Sequence, residues 1–136
     1  MQDLSGSAQF WRGLVLFTRR DSPGAAAALR AALVVFHDFG NRRGMTNVLS
    51  GVVGLVLRTG RAEPAAALLG GLRAARDEFA LRGSANERHA EQRIEQLLRN
   101  SRAAAGALDG RPLDLEATID LALVALDEIA ADGQRA

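Results

Sequence analysis

At 136 residues the chain is the length of one domain, and with 48% hydrophobic residues it can bury about two thirds of the surface its unfolded form would expose. It contains no Cys, Lys or Tyr, which excludes disulfides, thiolate metal sites, Schiff-base chemistry and any phosphate-binding loop that closes on a lysine. The formal charge of +1 hides an uneven layout, with eight Arg against four acids over 1–68 and nine Arg against twelve acids over 69–136. With aromatics at 4%, neither half offers the basic, stacking surface that binds nucleic acid directly.

Six helices are predicted in chain order, and no alternating β-branched run competes with them, so the fold class is all-α. The first, from about Leu4 to Arg19, is apolar on more than one face, with Phe10, Trp11, Leu14, Val15, Leu16 and Phe17 crowded together. Asp21 or Ser22 caps the second, Pro23 suits its first turn, and Ala25, Ala28, Leu29, Ala32, Leu33 and Phe36 follow helical spacing as far as Phe39. Gly40 and Asn41 can take the left-handed conformation that ends a helix. A third helix, about Met45 to Arg58, closes at Gly60, and a fourth, about Glu63 to Arg82, buries Ala65, Leu68, Leu69, Leu72, Ala75 and Phe79 before Gly83.

Ser84 and Glu87 have the spacing of a capping box. They open a fifth helix whose apolar side runs from Ala90, Ile94, Leu97 and Leu98 on to Ala105 and Leu108. Asp114 caps the sixth, which presents Leu115, Ile119, Leu123 and Leu126 and carries six acids before Arg135. The longest strongly apolar window, Val48 to Leu57, is about half the roughly 20 residues of a membrane span. The N-terminus lacks a basic region followed by an apolar run. A cytoplasmic protein without membrane contact is expected.

Setting Arg20 against Gly60 aligns Ala25 with Ala65, Leu29 with Leu69, Asp38 with Glu78 and Phe39 with Phe79, a constant offset of forty residues. Helix pairs of this kind cannot bury their apolar faces alone and stack on their neighbours. The expected organisation is a single helical-repeat domain over 1–136, with a first hairpin at 1–41, a second at 42–83 and C-terminal capping helices at 84–136.

The segments GNRRGMTNVLSGVVGLVLRTGR, AAALLGGLRAARDEF and RAAAGALDGRPLDLEATIDLAL resemble the tetratricopeptide-type repeats at the C-terminal end of large actinobacterial signalling regulators. Those regulators couple a signal-transduction ATPase to a LuxR-type DNA-binding domain or a cyclase domain. The resemblance implies tetratricopeptide-like hairpin repeats in a right-handed α-solenoid of about six helices, the last segment acting as its cap. It puts the small-residue positions on Ala25 and Ala65, the large packing position on Leu29 and Leu69, and the turn position on Arg20 and Gly60. The chain departs from the pattern at Arg12, which stands where an apolar residue is usual, and in a period longer than the usual 34 or so residues. The Trp and Tyr of the pattern are not at their expected places.

The remaining polar residues have ordinary structural roles. His37 suits the negative end of its helix dipole, and His89 does not share a face with Glu87 or Glu91. Glu91 and Glu95 are expected on a solvated face paired to Arg99, and Arg42 and Arg43 in an exposed turn. No catalytic residue, cofactor or metal is assigned, and the chain is not expected to be an enzyme.

By the resemblance, the first helix of each pair lines a concave groove, which places Ser7, Phe10, Leu14 and Phe17, then Asn47, Ser50, Gly54, Leu57 and Arg58, along it. The candidate partner-binding residues are Phe10, Trp11, Leu14, Phe17, Asn47, Ser50, Leu57 and Arg58. The expected function is a non-catalytic protein–protein interaction domain, part or relative of a bacterial transcriptional or signalling regulator. Its partner is a second copy, in a homodimer through the first helix, or another domain of a larger regulator. The alternative is a sensor module holding a small effector in the concave face. Polar groups converging around Asn47, Ser50 and Arg58 would favour the sensor, and an open apolar surface would favour a protein partner. A second way to cover the first helix is for the sixth to fold back on it, its acids facing Arg12, Arg19 and Arg20.

Overall fold

The chain turns at intervals of twenty residues, and those turns set the architecture. Arg20, Gly40, Gly60 and Ala80 all have positive φ, between 55° and 85°. In each case two amide donors close the end of the preceding helix in the same way: at the first turn the Arg20 N–H donates to the Phe17 carbonyl and Asp21 N–H to Leu16, and at the second Gly40 donates to His37 and Asn41 to Phe36. The third and fourth turns repeat this pairing at Gly60 and Arg61 and at Ala80 and Leu81. This is the Schellman arrangement, which satisfies carbonyls that a helix end would otherwise leave open. The computed structural model describes residues 2–135, with side chains from Ser5 to Gly133.

Between these turns lie four helices of 17 residues each: α1 (Gln2–Thr18), α2 (Ser22–Asp38), α3 (Arg42–Arg58) and α4 (Ala62–Glu78). Asp21 caps α2 and Asn41 caps α3, each side chain accepting from the backbone N–H three residues on. Three more helices follow: α5 (Ala85–Leu98), α6 (Arg102–Asp109) and α7 (Leu115–Arg135). The described residues are all-α, with seven helices where six were expected. The predicted fifth helix is two, because the Ser101 hydroxyl accepts from the Ala104 N–H and starts a new helix there. Ser84 and Asp114 cap α5 and α7 as their spacing indicates.

Adjacent helices pack in sequence order, α1 on α2, α2 on α3 and α3 on α4, and α3 also touches α1 and α5. The final helix departs from this order. It packs on α2 and α4, and less extensively on α3, running antiparallel to α2: Glu116 reaches His37 near the end of α2, while Asp127 reaches Arg30 earlier in it. The last helix therefore does fold back, but not over α1. Its acids meet Arg30, His37 and Arg61 instead of Arg12, Arg19 and Arg20.

One apolar core joins the elements. Leu29 and Leu33 of α2, Leu49, Val52 and Val56 of α3, and Leu68, Leu69 and Leu72 of α4 are buried with Ile119, Leu126 and Ile129 of α7. Backbones approach closely where glycine allows it. A methyl on Gly71 of α4 would collide with the Thr118 hydroxyl of α7, and one on Gly44 of α3 with the Phe36 ring. Among the described residues no helix is long and apolar enough to cross a membrane.

Candidate functional site

Three helices that open their hairpins, α1, α3 and α5, converge on a cleft of about 200 Å³. Leu14 and Phe17 line it from α1, Ser50, Gly51 and Gly54 from α3, Ala90 and Ile94 from α5, and Leu29 from α2. The forty-residue offset explains which positions meet. Phe10, Ser50 and Ala90 are equivalent in that spacing, as are Leu14, Gly54 and Ile94. The middle helix thus places a glycine, Gly54, between Leu14 on one side and Ile94 on the other. Ala90 and Ile94 were not among the expected groove residues, and extending the offset by one further step finds them.

The two glycines of this wall differ from Gly44 and Gly71. A Cβ on Gly51 would meet Leu14, Leu29 and Phe10 at 3.7 Å, and one on Gly54 would meet Phe17 at 3.8 Å, ordinary contact distances. Packing therefore does not require glycine at either place. Each nevertheless costs a helix interior about 0.5–1 kcal/mol relative to alanine.

The candidate residues divide into four groups. Leu14, Phe17 and Ser50 line the cleft, and Phe10 and Leu57 are half-buried and packed against the core. Asn47 is half-buried beside them on α3. Trp11 stands apart, 66% exposed, with Val15 one turn on also exposed.

Arg58 is committed elsewhere. Its guanidinium donates to the Phe17 carbonyl at 2.6 Å and to the Ser22 hydroxyl at 3.3 Å, and lies 3.8 Å over the Phe17 ring. It closes the α1–α2 turn from the side, and burial, with the like charge of Arg20, lowers its pKa. Ser50 donates to Glu91 at 3.2 Å. Arg58 and Ser50 thus bond to the protein and do not converge on the interior of the cleft.

Behind the cleft, α4 and α5 meet along an ionic seam. Arg76 donates to both Glu91 oxygens, at 2.7 and 2.6 Å, and reaches Glu87 at 3.1 Å. The Arg76 and Glu91 side chains are only 10% and 5% exposed. Glu91 is thus a buried partner of Arg76 and not part of a solvated face. Glu95 does pair with Arg99, at 3.0 Å, and also with Arg73 at 2.6 Å. The hydrogen bond from Arg73, then that from Arg99, holds its carboxyl below the usual carboxylate range. Glu87 turns to Arg76, while its own N–H donates to Ser84.

The histidines lie apart. His37 pairs with Glu116 at 2.9 Å, His89 is exposed, and no group of three or more potential metal ligands converges among the described residues. Arg42, in the α2–α3 turn region, stacks 4.1 Å over the Phe79 ring while remaining exposed. Comparison with protein families, curated proteins and solved structures gives no match to this chain.

Proposed function

We propose that this chain is a non-catalytic helical-repeat interaction domain, a tetratricopeptide-like, right-handed α-solenoid that is part or a relative of a bacterial transcriptional or signalling regulator. The reading draws on the twenty-residue recurrence of helix and Schellman turn and on the packing of successive helices. The observation that carries the interaction role is on α1. Trp11 and Val15 are exposed to 66% and 47% on one helix face, and α7, the other candidate cover, lies against α2 and α4. An aromatic anchor beside an aliphatic one is the composition of an interface centre.

In the isolated chain the occupant of this face is a second copy related by a two-fold axis, because a self-complementary patch pairs with itself and closes. The proposed partner is therefore protein, without direct contact to nucleic acid. Light scattering after gel filtration tests it. The unaltered chain should run as a dimer at tens of micromolar, and Trp11→Glu should run as a monomer with its helical circular dichroism retained. A soluble monomer in the unaltered chain would reject the interface.

A further inference from the structure

The cleft between α1, α3 and α5 has a chemistry of its own, separate from the Trp11 face and independent of the protein-interaction reading. Its lining is almost wholly hydrocarbon: Leu14, Phe17, Leu29, Ala90 and Ile94, with two glycines. The one side-chain hydroxyl, on Ser50, is engaged with Glu91. No buried side-chain nitrogen or oxygen among the described residues lacks a hydrogen-bond partner. An incoming molecule would find no free side-chain donor and only the Ser50 oxygen as acceptor, so a polar group carried elsewhere into the cleft would lose its water without replacement.

The space is kept open at a cost to the helix. Alanine at 51 and 54 would fit at ordinary contact distance and strengthen α3, yet both positions hold glycine. The opposite wall, on α5, is held from behind by the Arg76–Glu91 pair. We propose that this cleft is a binding site for a small uncharged apolar molecule, an aromatic ring or compact branched aliphatic about the size of toluene. A volume of about 200 Å³ lies below the roughly 300 Å³ at which drug-sized sites begin. It is also somewhat larger than the engineered apolar cavities of about 150 Å³ that stay dry and take up benzene. The ligand touches α1, α3 and α5 together, so its binding couples α5 to the first hairpin.

Toluene titrated into the full chain tests the site, followed by methyl NMR and thermal melting. Saturable shifts at Leu14 and Ile94 are expected, with intermolecular NOEs from the toluene ring to both, and a melting midpoint that rises with toluene concentration. The double substitution Gly51→Ala, Gly54→Ala should weaken binding by about tenfold or more while melting no lower than the parent. Should that variant fail to fold, Ile94→Phe fills the cleft from the α5 side and should have the same effect on binding. The NOEs in the unaltered chain decide the location in any case. Absence of saturable shifts up to the aqueous solubility of toluene, NOEs to residues elsewhere, or full binding by a filled variant would each overturn the proposal.

Discussion

Arg20 and Ala80 occupy a backbone conformation that Gly40 and Gly60 adopt without strain. Their φ values are 63° and 55°, in the left-handed region, where an L side chain costs about 1–2 kcal/mol. Ala80→Gly should therefore stabilise the protein by about 1 kcal/mol, less a few tenths for the freer unfolded chain, and a thermal melt should show a gain of about 3 °C. A lower midpoint would mean that the fourth turn does not share the geometry of the others. Leu69 tests the core at the same scale. It is fully buried, so Leu69→Asp should cost several kcal/mol, enough to abolish a cooperative melt by circular dichroism in a domain of ordinary stability. Packing roles of this kind were legible from the pairing of Leu29 with Leu69. The burial of Glu91 was not, because helical spacing shows which residues share a face but not what that face meets. A clue lay in the repeat itself: Arg76 stands forty residues after Phe36, and a charge at a core aromatic position calls for a buried counter-charge.

With Arg in place of Phe at that repeat position, the α4–α5 seam depends on a desolvated ion pair. Removing one partner of such a pair strands the other, so Glu91→Ala should destabilise by about 3 kcal/mol, with Glu87 limiting the loss by remaining near Arg76. Arg76→Phe combined with Glu91→Leu should restore most of that stability in urea unfolding, because buried pairs contribute little beyond what packed hydrocarbon supplies. A double variant no more stable than Glu91→Ala alone would show that the pair holds α5 in a way hydrophobic packing does not replace. The starts of α5 and α7 were readable from Ser84 and Asp114, whose side chains cap where their spacing places them. The division between α5 and α6 was hidden. Neither Gly nor Pro interrupts the stretch from Leu98 to Ala105, and the apolar phase continues across it, so only the Ser101 cap marks the boundary.

Across the whole molecule, the charge imbalance between the halves becomes contact. The acids of α7 meet Arg30, His37 and Arg61 of the more basic first half, each an exposed pair of at most about 1 kcal/mol, over a seam whose burial of Ile119, Leu126 and Ile129 supplies more. The sequence displayed an acidic amphipathic helix and a basic region, but the furrow between α2 and α4 exists only once both hairpins are built. A stack of neighbour contacts can open from either end one hairpin at a time, whereas α7 lies along both hairpins and ties their opening together. Hydrogen exchange should therefore give the amides of Leu33 in α2 and Leu126 in α7 one shared opening free energy, and a clearly lower value at Leu126 would show that α7 peels away alone. The Arg30–Asp127 pair closes a separation of 97 residues, which at ribosomal rates of about 5–20 residues per second takes roughly 5–20 s to synthesise. For that interval the side of α2 that α7 will cover waits on a helix still untranslated, so the core around α2 can close fully only at the end of synthesis.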